Sequence, residues 1–100
     1  MGVFKELDIA MNEYAEHLIR DYGRPDSDFK VDFIPGNKFI KVAVGTNGNR
    51  SCHSFIVIQP HGAFAFGDIL KAATWKAPAK NFARGNVLTG DFKSIRWCGI

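Results

Sequence analysis

The fold is decided by residues 29–58, which read FKVDFIPGNKFIKVAVGTNGNRSCHSFIVI. Phe29, Val31 and Phe33 alternate with Lys30, Asp32 and Ile34. In the run over positions 39–44, Ile40, Val42 and Val44 fall on one face and Lys41 on the other. This period-two pattern predicts two strands, each with one face toward a core. Pro35-Gly36-Asn37 separates the two runs and is typical of a tight turn, so the two strands are predicted to form a hairpin.

A second turn signal, Asn47-Gly48, precedes a third apolar run at residues 51–58. Each face of this run carries two apolar residues and one polar residue: Ser54, Ile56 and Ile58 on one face, and His53, Phe55 and Val57 on the other. Because both faces are largely apolar, this third strand is predicted to be covered on both sides of the sheet.

Upstream of this stretch, residues 3–22 are predicted to form an amphipathic helix. Apolar residues recur there at three- and four-residue spacing, in the stripe Val3, Leu7, Met11, Tyr14 and Leu18. Gly23 suits the position just past a helix end, and Pro25 discourages the helix from continuing. His17 is expected on the solvated side of this helix.

Downstream, residues 69–74 are predicted to form a fourth strand, with a short helix capped by Asp68 as the alternative. Residues 76–86 show neither strand alternation nor a helical stripe, so a long basic loop is expected before a last strand at residues 92–97. The predicted fold is α+β, a single domain over residues 1–100 in which an N-terminal helix packs on an antiparallel sheet of four to five strands.

Charge is distributed unevenly along the chain. The formal net charge is +3, but residues 1–50 carry seven basic and eight acidic side chains, whereas residues 51–100 carry six basic and only two acidic ones. Those two acids, Asp68 and Asp91, flank a segment that contains none. Local asymmetry of this kind favours an anionic partner.

Residues 71–86 are the candidate ligand-binding region. Long cationic side chains, which neutralise phosphates, are interleaved there with aromatic rings, which stack on bases, and a glycine allows backbone amides to approach an anion closely. The candidate residues are Lys71, Trp75, Lys76, Lys80, Phe82, Arg84, Gly85 and Asn86. In the alternative interpretation, the aromatic rings anchor the loop to the core and the charges form a solvated face.

No catalytic residue, metal site or cofactor is predicted. Cys52, Cys98, His53 and His61 would supply four zinc ligands, but their spacing matches no zinc motif. Neither of these two histidines has a sequence-local nucleophile or carboxylate in a known catalytic arrangement. The chain also lacks an apolar run of about 20 residues and a secretory signal pattern, so no membrane partner is expected.

Residues 67–80, GDILKAATWKAPAK, followed by Ala83-Arg84-Gly85-Asn86, resemble a segment of small uncharacterised proteins of tailed bacteriophages. The resemblance covers a small part of the chain and assigns no role to any residue. It implies a phage origin and action in the cytoplasm of a bacterial host.

These observations lead to one main hypothesis, a non-enzymatic phage accessory protein that binds nucleic acid or a nucleotide through residues 71–86. Two alternatives stay open. One is a protein–protein inhibitor of a host enzyme or defence system, which would dock the basic loop onto an acidic host surface. The other is a minor virion component.

Overall fold

The computed structural model describes residues 3–23, 28–46, 49–60, 62, 64–80 and 82–97 of the 100-residue chain. The elements, in chain order, are α1 (Val3–Tyr22), β1 (Lys30–Pro35), β2 (Phe39–Thr46), β3 (Asn49–Val57), β4 (Asp68–Lys71) and β5 (Gly85–Asn86). The strands form one antiparallel sheet in the order β1-β2-β3-β4-β5, so each strand pairs with its neighbours in sequence. The predicted α+β architecture is confirmed.

Helix α1 ends at the position that the sequence predicts. Gly23 has a φ angle of 71°, and its N–H donates to the carbonyl of Ile19 at 3.2 Å. A residue with a side chain is strained at this φ angle, so glycine lets the chain leave the helix at little cost. Pro25 lies outside the described residues.

One face of the sheet, which we call the helix face, packs against α1 and holds the larger core. Tyr14 and Leu18 of α1 are fully buried there, as are Val42 of β2 and Ile56 of β3. Burying a large apolar side chain contributes about 1.5–3 kcal/mol relative to leaving it in water. The same cluster also contains Leu7, Ala10, Phe29, Ile40, Val44, Ile69, Val87, Phe92 and Ile95.

The opposite face of the sheet, which we call the outer face, carries a smaller apolar cluster. Phe55, Val57 and Leu70 are buried in this cluster, with Phe39 and Ala83 packed against them. Strand β3 is therefore covered on both sides, as its apolar pattern predicts. The cover on the outer face comes partly from residues that follow β4, which explains why residues of the predicted loop are apolar where they meet the sheet.

A β-bulge in β3 turns His53 toward the helix. Val42 of β2 stands opposite Ser54, but the next residue of β2 stands opposite Cys52, so His53 has no opposing residue. The Tyr14 hydroxyl contacts both Ser54 Oγ, at 2.9 Å, and His53 Nδ1, at 3.4 Å. The prediction that placed these two β3 residues on different faces is wrong, because an inserted residue breaks the period of two.

The predicted loop begins as an ordered hairpin. The chain reverses after β4, and Ala72 forms an isolated bridge with Pro78. We call residues 72–79 the tip hairpin. The strand predicted over residues 69–74 therefore ends at Lys71, where the reversal begins, and the alternative helix does not form.

The last strand lies inside the predicted loop and not at residues 92–97. The N–H of Arg84 donates to the carbonyl of Ile69 at 2.7 Å, and β5 follows at once beside β4. Residues 92–97 form turns that bring Phe92 and Ile95 into the core of the helix face. Their spacing of three residues suits a turn, in which both side chains point the same way, better than a strand.

Candidate anion-binding groove

The end of the tip hairpin is held by Thr74. Its Oγ1 accepts hydrogen bonds from the N–H groups of Lys76 and Ala77, both at 3.1 Å, and its own N–H donates to the carbonyl of Ala77 at 3.1 Å. The hydroxyl satisfies two backbone N–H groups of the turn, which an open loop would leave to water. The hairpin therefore presents Trp75 and Lys76 on a defined backbone.

The tip hairpin leans across the outer face of the sheet. It leaves the sheet at β4, yet Nζ of Lys41, on β2, lies 4.3 Å from the centroid of the Trp75 ring. Strand β3 runs between these two strands, and its Phe55 is 3% exposed. A lysine over the face of a tryptophan is attracted by the ring quadrupole, so this contact draws the hairpin toward β2.

A groove of about 260 Å³ opens between the tip hairpin and the turn that joins β1 to β2. Lys38, Lys41 and Lys76 line this groove, and none of the described residues that line it is acidic. Lys80 adds a fourth cation, because its Nζ lies 5.9 Å from the ring centroid of Phe39, another lining residue. We call the set Lys38, Phe39, Lys41, Trp75, Lys76 and Lys80 the basic groove.

Helix α1 packs on the opposite face of the sheet, so its described acidic side chains lie away from the lysines of the basic groove. Among the described residues, the ion pairs are those of Arg20 with Glu16, Arg50 with Asp32 and Arg96 with Asp21. None of these pairs includes a lysine of the groove. Asp32 shares the outer face but already pairs with Arg50, so the groove keeps a positive potential.

The structure thus brings together three of the residues predicted from sequence, Trp75, Lys76 and Lys80. It places Lys71 elsewhere. Lys71 stands opposite Ser54 in the sheet, and the Ser54 hydroxyl is bonded to Tyr14 of α1, so Lys71 belongs to the helix face.

Phe82 and Arg84 form a separate pair. The Arg84 guanidinium lies 4.1 Å from the centroid of the Phe82 ring, which is exposed. Within the described part of the chain, the Nε of Arg84 is buried without a hydrogen-bond partner. Neither residue lines the basic groove.

Gly85 and Asn86 serve the fold. A Cβ atom on Gly85 would overlap the carbonyl oxygen of Asp91. The Asn86 side chain donates to Asp68 Oδ1 at 2.8 Å and accepts from the N–H of Leu88 at 2.8 Å. Both ends of this amide are therefore used to fix the turn after β5, which removes the basis for giving Asn86 a ligand contact.

The β1–β2 hairpin contributes residues that the sequence reasoning missed: Lys38, Phe39 and Lys41. The alternation in β2 does indicate that Lys41 faces away from Val42 and the main core. The missing information is that the tip hairpin crosses β3 to meet Lys41, and this depends on contacts between distant parts of the chain.

The histidines attach the C-terminal segment to the rest of the protein. His53 Nε2 donates to the carbonyl of Arg96 at 2.7 Å, and its Nδ1 lies 3.0 Å from Ser54 Oγ, so both ring nitrogens are used internally. Burial lowers the pKa of His53 and favours the neutral ring. His17 is not on a solvated face as predicted, since its Nε2 donates to the carbonyl of Ile95 at 2.7 Å.

Cys52 is not prepared for nucleophilic chemistry. Burial raises the pKa of its thiol, and the positive charge of Lys41 only partly opposes this effect, so the thiol stays protonated at neutral pH. Within the described residues, no three His, Cys, Asp or Glu side chains converge as a metal site would require. Cys98 and His61 lie outside the described residues.

These features define a class of protein, a small α+β domain with a cationic and aromatic groove on the outer face of its sheet. Over residues 2–98 the chain matches the model of a family of unknown function, DUF7717, and it belongs to that family. Comparison with curated proteins and with solved structures gave no match. In the described part of the chain, no helix has the combined length and apolarity that crossing a bilayer requires.

Proposed function

We propose that this protein is a non-enzymatic accessory protein that binds single-stranded nucleic acid, or a nucleotide, in the basic groove. The observation that best supports this function is the gathering of four lysines around Phe39 and Trp75, with no carboxylate paired to these lysines among the described residues.

The lysines suit the phosphates of such a ligand. Each ammonium is a compact point charge on a flexible stem, so it follows a backbone without demanding one geometry. Four lysines that each neutralise one phosphate of a single strand give log K a slope of about −3 against log salt concentration.

The aromatic residues suit the bases. Trp75 is 45% exposed, so part of its ring is open although Lys41 lies over it. Stacking of a base on an aromatic ring contributes about 1–3 kcal/mol and tolerates any base sequence. A duplex keeps its bases stacked on one another, and therefore single strands fit this groove better than double-stranded nucleic acid.

The resemblance of residues 67–80 and 83–86 to proteins of tailed phages supports the rest of the proposal, a role in the bacterial cytoplasm during infection. One observation supports the alternative of docking on a host protein. Ile34, at the rim of the groove, is 43% exposed and gives this cationic surface an apolar element that a protein partner would cover.

The experiment measures the fluorescence anisotropy of a short labelled oligothymidylate and of labelled ADP across a salt series. Lys76→Glu is expected to weaken oligonucleotide binding about tenfold, or about 1.4 kcal/mol. Lys93→Glu is the matched control, because it makes the same change in net charge away from the groove. Lys93 is exposed and lines a different surface pocket, together with Glu13 and Glu16 of α1.

Binding that ignores salt, or an equal loss in Lys76→Glu and Lys93→Glu, contradicts the proposal. A host protein retained from nuclease-treated lysate by the wild type, and lost with Lys76→Glu, favours the alternative when oligonucleotide binding is absent.

A further inference from the structure

A second and larger cavity, of about 520 Å³, opens mainly on the helix face of the sheet, although its lining also includes Cys52 and Ala72, which pack in the cluster of the outer face. Val44 of β2 and Ser51 of β3, which stand opposite each other in the sheet, contribute to its floor. Small-molecule sites commonly have volumes of about 300–1,000 Å³, so this cavity has the size of a binding site. We call it the aromatic cavity.

Three aromatic rings from distant parts of the chain form one wall of the aromatic cavity. Tyr22, the last residue of α1, stacks on Phe29, with ring centroids 4.3 Å apart. Trp97 meets both rings edge-on, at 4.7 Å from Tyr22 and 5.9 Å from Phe29. Pairs in these arrangements support each other, so the wall is built before any ligand arrives.

The backbone around Trp97 is also held in place. Its N–H donates to Asp21 Oδ2 at 2.9 Å, and the neighbouring Arg96 Nε donates to both oxygens of the same carboxylate at 3.0 Å. His53, another lining residue, bonds the carbonyl of Arg96 as described above. A ligand therefore meets a preorganised wall, which lowers the entropic cost of binding.

The polar groups of the aromatic cavity are cationic or neutral. Lys71 is its one basic residue, and no acidic residue lines it among those described. Lys71 makes no ion pair within the described part of the chain. Ser51 adds a hydroxyl, and the bound ring nitrogens and lowered pKa of His53 keep that side chain neutral.

We infer that the aromatic cavity binds a small planar aromatic anion, in which a ring carries one carboxylate or phosphate. The ring packs against the wall of Tyr22, Phe29 and Trp97, and the anionic group pairs with Lys71. This site is independent of the proposed nucleic-acid function, because the two sites share no lining residue and Lys71 lies on the helix face.

The two tryptophans of the chain make the test site-specific, because Trp97 lies in the aromatic cavity and Trp75 in the basic groove. Each indole N–H gives one amide-region NMR cross-peak, and Trp75→Phe and Trp97→Phe assign them. Titration uses 2-naphthoate and its neutral analogue 2-naphthamide. The Trp97 peak is expected to shift to saturation with both probes, with the naphthoate bound about two- to fivefold more tightly at low salt, as a partly exposed ion pair provides.

Lys71→Met is expected to abolish the preference for 2-naphthoate, whereas Lys71→Arg retains it. Lys76→Met is the control, since it removes the same charge from the outer face and leaves the preference unchanged. The inference is overturned if the Trp97 peak does not saturate, if the Trp75 peak responds in its place, or if Lys71→Met keeps the preference. The amide spectrum of each variant reports directly whether it is folded.

Discussion

Nζ of Lys41 lies 4.3 Å from the centroid of the Trp75 ring, although one residue is on β2 and the other on a hairpin that leaves the sheet at β4. This contact spans the outer face above β3. It joins the two walls of the basic groove, and it accounts for the presence of Lys41 and Lys76 in one site.

Trp75→Ala is therefore expected to weaken single-strand binding more than it weakens the fold. The substitution removes both a stacking surface and the contact that draws the tip hairpin toward β2. Stacking is worth about 1–3 kcal/mol per base, which corresponds to a loss of about five- to 150-fold in affinity. An exposed cation–π contact contributes only about 0.5–1 kcal/mol to the free energy of unfolding. Anisotropy and urea denaturation measure the two effects.

Phe82→Ala is the matched control for this substitution. Phe82 is also an exposed aromatic residue of the predicted loop, but it packs with Arg84 and does not line the groove. Affinity is expected to change little. If Phe82→Ala costs as much affinity as Trp75→Ala, the ligand uses the whole loop and the basic groove is not the site.

Charge reversal on the two faces of the sheet gives a second prediction. Lys41→Glu is expected to weaken oligonucleotide binding about tenfold and to reduce the salt slope, because it places a carboxylate inside the groove. Lys71→Glu makes the same change in net charge on the helix face and is expected to leave binding nearly unchanged.

The sequence by itself favours the opposite ranking, because Lys71 belongs to the acid-free segment and Lys41 does not. Oligonucleotide titrations of the two variants at one salt concentration therefore distinguish two models of the binding site, a linear basic segment and a folded groove. A larger loss with Lys71→Glu supports the former.

The elements predicted well are those specified by local pattern. The stripe of α1 and the alternation in β1 and β2 each bury one face, so few arrangements satisfy them. The end of the helix at Gly23 is also local, because it depends only on the ability of glycine to adopt a positive φ angle. The same local logic fails at His53, where one extra residue in β3 changes the face that its side chain occupies.

Only the residues that the tip hairpin and its surroundings give to the basic groove, Trp75, Lys76 and Lys80, could be predicted from the sequence. Composition indicates that Lys76 and Lys80 lack acidic neighbours in sequence, and among the described residues neither lysine forms an ion pair. The path of the chain after Lys71 depends on the bridge between Ala72 and Pro78. No periodic pattern in the sequence predicts this bridge. That path brings the tip hairpin to Lys41 and places Arg84 outside the basic groove.

Gly85→Ala is expected to destabilise the protein by about 1–3 kcal/mol, the usual cost of overpacking a closely packed site. An added Cβ atom would overlap the backbone carbonyl of Asp91, and a backbone atom cannot move aside as a side chain does. Urea denaturation monitored by circular dichroism measures the loss. The Kd for oligonucleotide of the remaining folded protein is expected to match the wild type.

This result would separate two roles for the glycine. If Gly85 exists to let a phosphate approach the backbone, as the sequence suggested, then Gly85→Ala would lower affinity while leaving the free energy of unfolding unchanged. That combination would place the ligand at β5.

Stability is expected to fall as the pH drops below about 6.5, and His53 is the cause. Burial lowers its pKa in the folded protein, so the unfolded chain binds more protons in this range. The stabilisation is complete above the unfolded pKa of 6.5, declines as the pH falls toward the folded pKa, and is lost below it. The slope cannot exceed about 1.4 kcal/mol per pH unit for one proton.

The contacts of His53 explain why protonation of its ring destabilises the folded protein. Its Nε2–H already donates to the carbonyl of Arg96, so a second proton must go to Nδ1, which faces Ser54 Oγ at 3.0 Å. Ser54 is fully buried and also bonds the Tyr14 hydroxyl, so the rearranged network leaves one hydroxyl proton without an acceptor.

Urea denaturation at pH 7.5, 6 and 5 tests this, with His53→Gln as the variant that keeps a donor for Arg96 but does not titrate. His53→Gln is expected to start with lower stability and to lose less of it between pH 7.5 and pH 5. Asp21, whose carboxylate pKa is lowered by the Trp97 N–H and by Arg96, has the same sign of effect only at more acidic pH, because its unfolded pKa is 3.8. An unchanged slope in His53→Gln, or an NMR titration of His53 at or above 6.5 in the folded wild type, would assign the acid sensitivity to another group.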